Sequence, residues 1–294
     1  MKQTLGAFRS TVDERGPSTI GPMMGKSHAL SGSVGWLAGC AALNAAGHPP
    51  RPLPVVAGAI VSAGFALLPD IDHPGSTVAR TLGPLTRTLS RVVSGLSAGF
   101  GRATCDHCDR RPGQGGHRLV THTIPFAVAV TALWALAGQV WGAVASVVVV
   151  GLATWLATHT GMSTNTRAEI VDALIPGQIR GRRARRFTAV IGSVIAAGAV
   201  AFAVLFLAEP GSSWWWVGAA AGWGTLAHSL GDSLTHWGSP LLWPARIRGC
   251  TWRTVGTPRW MRFRAGGPVE RWLIAPGMAV AGLGAVYLLL VPLT

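Results

Sequence analysis

The stretch SWWWVGAAAGWGTLAHSLGDSLTHWGSPLLWP, residues 213–244, decides what kind of protein this is. Residues 213–234 read as a bilayer-crossing helix, because a span needs about 20 predominantly apolar residues, range about 17–25. Yet the end of that run places His228, Asp232 and His236 at intervals of four. Residues i, i+4 and i+8 share one face of a helix. An unpaired carboxylate on a buried face is costly, or is forced to take a proton. A divalent ion shared by Asp232 and His228 explains the pair more cheaply.

The rest of the chain repeats the apolar theme. Of its 294 residues 49% are apolar and only 12% charged, where a soluble domain carries roughly 25% charged residues. Seven stretches approach bilayer length: roughly 29–46, 52–68, 123–137, 140–158, 187–208, 213–234 and 271–291. The second and third are short, and tilt little or reach the far side only in part. The first twenty residues contain no apolar core, so a secretory signal peptide is not expected. Residues 1–25 read as a flexible amino-terminal segment. The expected fold is all-α: one domain over 1–294, a polytopic membrane helix bundle of about seven transmembrane helices with an extra interfacial helix. Abundant Ala, Gly and Arg with a single Tyr suggest a GC-rich bacterial genome.

Basic residues outnumber acidic ones, 25 against 11. Such a balance points to nucleic acid, anionic lipid or membrane topology, and the apolar runs decide for topology. With seven spans, every Lys and Arg except Arg51 falls in connections on one side. Basic loops stay cytoplasmic, so the amino terminus is expected inside and the carboxyl terminus outside a bacterial inner membrane. The opposite connections, 47–51, 138–139 and 209–212, are short enough for tight turns. Segment 84–104 has apolar residues at helical spacing with Arg87 and Arg91 between them, the pattern of a helix lying in the interface.

The polar chemistry gathers on the inner side of this topology. His28 begins the first run. Asp70, Asp72 and His73 follow the second in LLPDIDHPGS, His117 and His122 precede the third in GHRLVTHT, and Glu270 begins the last. Pro, Asp and Gly are turn residues, so PDIDHPG could be a simple turn. However, a helix C-terminus disfavours anions, and a cation between Asp70 and Asp72 would offset that. Pro69 would stop the helix and fix the departure angle. His117 and His122 are five apart, a spacing that suits a loop entering a helix. Arg118 could grip a phosphate or a carboxylate with two hydrogen bonds. His48, His107 and His159 read as solvated or capping residues, and the role of His236 is open. Cys105 and Cys108, with Asp106, His107, Asp109 and His117 nearby, could form a small structural zinc site, because cytosolic thiols are normally reduced.

Three of these segments in order, LLPDIDHPGS, HRLVTHT and LAHSLGDSLTHWGSPLLWP, resemble the YdjM-like family of membrane-bound, metal-dependent hydrolases. The likeness extends over most of residues 26–275. It implies that His28, Asp70, Asp72, His73, His117, His122, His228 and Asp232 are polar positions of a metal site, with Glu270 at a late acidic position. Thr123 stands where the family commonly has Ser, and His236 where a less coordinating residue is usual. More distantly, the helical His/Asp arrangement is similar to zinc phospholipase C and P1-type nucleases, which hydrolyse phosphoesters with zinc.

The expected function follows from that chemistry. His and carboxylate donors suit zinc or manganese, here one to three ions. A bound divalent ion brings the pKa of its water down toward about 7. Asp72 or Glu270 could act as general base, and Arg118 with the inner-loop arginines would attract an anionic substrate. The site's depth suggests a membrane lipid or a lipid-linked phosphoester, and no nucleic acid. The main rival is a divalent-metal transporter or non-hydrolytic metal-binding protein, because intramembrane ionisable residues often mark ion pathways. A third is a structural or interaction protein whose basic loops bind anionic lipid or nucleic acid.

Overall fold

In the computed structural model the protein is described over residues 24–105, 117–174, 181–209 and 211–291. Nine α-helices are found there: α1 (Met24–Ala45), α2 (Pro52–Phe65), α3 (Pro84–Thr104), α4 (Ile124–Trp141), α5 (Ala143–Gly161), α6 (Thr164–Leu174), α7 (Arg182–Leu207), α8 (Trp215–Ser233) and α9 (Ala275–Leu290). Among the described residues there is no strand, only three isolated bridges. Of the amino-terminal segment 1–25 expected to be flexible, residues 1–23 lie outside the described residues, and α1 begins at Met24.

α8 is the centre of the bundle, packed by α4, α2 and α1. Trp216, Val217, Ala220 and Ala221 of α8 join Val61 and Phe65 of α2, Val130 of α4 and Val149, Val150 and Ala153 of α5 in one buried core. Lipid is as apolar as Leu, so helices in a membrane associate through close packing at small residues. Gly224 shows this: a Cβ there would strike the Ser62 carbonyl oxygen of α2.

Among the described residues, five segments are long and apolar enough to cross a bilayer: Pro52–Asp72, Ile124–Trp141, Ala143–Gly161, Ala184–Leu207 and Glu270–Leu290. The expected count of seven is therefore not met by length and composition. α1 and α8 have the length, 22 and 19 residues, but not the apolarity. The reason in α8 is visible: its polar residues Thr225, His228, Ser229 and Asp232 are buried inside the bundle, where a helix needs no lipid-facing surface. The turn expected at 138–139 falls instead at Gly142, whose φ of 53° ends α4 and starts α5.

The segment expected to lie in the interface forms α3, which is amphipathic. Thr86, Ser90, Ser94 and Ser97 are buried, while Leu85, Leu89, Val92, Leu96 and Phe100 are exposed. A helix in water would turn that leucine row inward; one at a bilayer surface turns it into lipid. Its serine face covers the turns that carry the site, and Ser97 Oγ accepts the Val120 N–H at 3.1 Å.

Candidate metal centre

Four chain segments meet where α1 starts, α2 ends, α4 starts and α8 ends. α2 stops at Phe65, and Pro69 opens a single 3₁₀ turn, Pro69–Asp72, that delivers Asp70 and Asp72. Another such turn, Val120–His122, leads into α4, whose first turn is capped by the Thr123 hydroxyl accepting from Phe126 N–H. Between them Arg118 adopts φ 59°, a left-handed conformation uncommon for a residue with a side chain. That twist aims the Arg118 N–H at Asp72 Oδ2, 3.1 Å away.

His228 and His122 face each other, Nε2 to Nε2, at 3.2 Å. His228 Nδ1 lies 2.8 Å from the Ala66 carbonyl, just past the end of α2. A carbonyl only accepts, so Nδ1 carries the proton and the neutral ring presents a bare Nε2. Around this pair, Asp232 Oδ2 lies 3.3 Å from His122 Nε2 and 3.7 Å from His228 Nε2, and Asp70 Oδ1 lies 3.6 Å from His228 Nε2. His28 Nε2 approaches Asp232 Oδ1 at 3.6 Å. With metal–ligand bonds of about 2.0–2.2 Å, two ligands of a tetrahedral ion stand roughly 3.3–3.6 Å apart. The observed separations fall in or next to that range.

Asp232 Oδ2 is buried and accepts no hydrogen bond, a costly state for a charged oxygen. Asp232 Oδ1 takes the Arg118 guanidinium at 2.9 Å, and the same guanidinium donates to Thr235 Oγ1 and the Gly238 carbonyl, both at 3.3 Å. Three carboxylates (Asp70, Asp72, Asp232) thus converge with one guanidinium, a formal excess of two negative charges when the histidines are neutral. Without an ion, a proton takes up part of it. Burial opposes a charged His122, but the Asp232 and Asp72 carboxylates prevail and its pKa is pushed up to about 9. A divalent cation would balance the whole excess.

Asp72 is differently placed. It is fully buried, and both oxygens are occupied by protein donors: Oδ1 by His117 Nδ1 at 2.8 Å, Oδ2 by the Thr121 hydroxyl at 2.6 Å as well as by Arg118 N–H. Thr121 Oγ1 is also 2.9 Å from His122 Nδ1. Since the Thr121 proton goes to Asp72, His122 Nδ1–H donates to Thr121, which turns His122 Nε2 toward His228. This is the carboxylate support that metal-bound histidines characteristically have, with a hydroxyl interposed.

Donor atoms that could hold an ion form three overlapping groups: His28, His228 and Asp232; Asp70, His122 and His228; Asp72, His117 and His122. Seven of the eight expected metal ligands are in them. His73 is not; it is exposed and stacks on His117 with ring centres 4.7 Å apart. Of the expected catalytic residues, Asp72 and Arg118 are within the cluster. Glu270 is buried beyond His28, where both line one cavity. His236 leaves the stripe because α8 ends at Ser233, and it is exposed. His159, in the last turn of α5, receives an Arg167 N–H at 2.8 Å and is in none of these groups. The Cys105–Cys108 zinc site falls largely on 106–116, outside the described residues. Sequence reasoning missed the Thr121 relay and the Ala66 carbonyl. Thr121 sits inside the His-Arg-x-x-Thr-His pattern and could have been found there; nothing in the sequence singles out a backbone carbonyl.

The family model described as YdjM inner membrane protein matches residues 23–184 and 179–293, a range that contains every residue of the cluster. No curated protein and no solved structure matches the chain.

Proposed function

We propose that this chain, which belongs to the YdjM inner membrane protein family, is a membrane-bound metal-dependent hydrolase that cleaves a phosphoester in a lipid or lipid-linked anionic substrate. The observation that carries this reading is the unpartnered, buried Oδ2 of Asp232 facing the Nε2 atoms of His122 and His228. His122, His228, Asp70 and Asp232 would hold the ion, with His28 at its edge. The donor set suits zinc or manganese. When bound, such an ion supplies Lewis acidity and a water made acidic enough to attack at neutral pH.

The remaining work falls to the chain's own groups. Asp72 and Thr121 orient His122 and His117. Arg118 holds Asp232, so its guanidinium serves the protein's own carboxylate rather than a substrate phosphate. With Nδ1 on Asp72, the half-buried His117 has Nε2 left to pass a proton to a leaving oxygen. The site lies at the ends of the helices from which the basic connections leave, so it is assigned to the cytoplasmic face, with the amino terminus inside and the carboxyl terminus outside.

Metal analysis of the detergent-purified protein, followed by phosphoester hydrolysis in mixed lipid micelles, tests this. Turnover that needs zinc or manganese and is lost in Asp70→Ala supports it. Turnover that survives chelation and that substitution overturns it. Bound metal without turnover, together with zinc flux into reconstituted vesicles, would favour transport instead.

A further inference from the structure

A cavity of about 300 Å³ lies beside the cluster, between α1, α8 and the start of α9. Its volume is at the lower end of the range for small-molecule sites. Its polar end is formed by His28 and Glu270, and its walls by Leu230, Leu234, Phe263, Ile274 and Met278. Glu270 is 4% exposed and opens a π-helical turn, Glu270–Ile274, a feature that is frequent at functional sites. Its Oε2 accepts the Gly266 N–H at 2.6 Å, while Oε1 is buried without a partner. A carboxylate oxygen in that state lacks a hydrogen-bond donor. Leu230 and Leu234, 39% and 37% exposed, line this cavity.

The far end is closed by Trp223. Its Nε1–H donates to the Gly32 carbonyl at 3.1 Å, tying the ring across from α8 to α1. Trp223 also lines a second, larger cavity of about 1440 Å³, which it shares with Trp36, Leu53 and Val204. The ring is thus a partition between two apolar spaces. It lies eight residues from Gly231, which faces the His28 ring, so the inner cavity is about 12 Å deep at the helical rise.

We infer that this cavity is the chain-binding subsite of the metal centre. It takes the single apolar chain of an amphiphile whose head group offers a hydroxyl or amine to Glu270, and Trp223 sets the longest chain that fits. As a statement about substrate it rests on the hydrolase reading, but binding itself needs no turnover.

The test is binding of 1-monoacylglycerols of increasing chain length to the full-length protein by native mass spectrometry, with the matching fatty-acid methyl esters, which lack a donor, alongside. The wild type is expected to bind monoacylglycerols about tenfold more tightly than the esters, given the strength of a hydrogen bond to a charged acceptor, and to stop gaining affinity beyond one chain length. Trp223→Ala should move that limit to longer chains. Leu230→Trp, a change at an exposed position that fills the cavity, should abolish the preference with little risk to folding. Equal binding of esters and monoacylglycerols, a chain-length limit unmoved by Trp223→Ala, or a preference that survives Leu230→Trp overturns the inference. Selective binding with no metal-dependent turnover leaves the subsite standing and removes the hydrolase; turnover with no chain-length limit does the reverse.

Discussion

The Nε2 atoms of His122 and His228 stand 3.2 Å apart, although the residues are 106 positions apart in the chain. With His228 Nδ1 committed to Ala66, the contact needs a proton or a cation between the rings. Asp232 and Asp70 beside it add the charge that favours a divalent ion.

Asp232→Asn keeps the shape of the side chain and removes its charge. Zinc affinity, measured by competition with a chromogenic chelator, is expected to fall by more than the about 10- to 100-fold typical of a residue that only orients a ligand. Unchanged affinity would show that Asp232 holds no ion.

Asp72→Asn separates orientation from ligation. Both Asp72 oxygens are already bonded to His117, Thr121 and Arg118, so this variant should keep the same number of bound ions with about 10- to 100-fold weaker affinity. Loss of a whole ion per chain would make Asp72 a ligand.

Chelation should destabilise the wild type. An ion present at 100 times its dissociation constant stabilises the folded state by about 2.7 kcal/mol. The thermal midpoint in detergent is therefore expected to drop when the metal is stripped and to return on adding zinc. Asp232→Asn should show no such shift, since it starts without the ion.

Gly224→Ala should lower stability by about 1–3 kcal/mol, the usual cost of overpacking, because the new Cβ meets the Ser62 carbonyl of α2. Gly39→Ala in α1 is the control: a Cβ there meets nothing within 4 Å. Thermal denaturation of both variants in the same detergent measures the difference.

The basic-loop pattern predicts that alkaline phosphatase fused after Thr294 is active in a bacterial host, while green fluorescent protein in the same place stays dark. The opposite result would reverse the orientation of every helix and move the site to the outer face.

Much of this was legible in the chain. The apolar runs, the helical spacing of apolar residues in α3, and the order of PDIDH, HRLVTH and HSLGD are local patterns, and local patterns specify helices and their ends. The span count was less legible. Apolarity reports the surface a helix shows to lipid, and α8 shows little, because its neighbours enclose His228 and Asp232. His236 was read onto the same stripe because helical spacing continues on paper, whereas α8 ends at Ser233.

By itself, then, the sequence determined that the protein is a helical membrane bundle and most of the side chains that meet at one end of it, since hydropathy and spacing are properties of neighbouring residues. Only the tertiary structure decided how they pair. It set His122 against His228, engaged both Asp72 oxygens with His117, Thr121 and Arg118, tied the Arg118 guanidinium to Asp232, and left buried oxygens of Asp232 and Glu270 without a hydrogen bond. Those assignments depend on distances of about 3 Å between remote segments, and such distances exist only once the helices have packed.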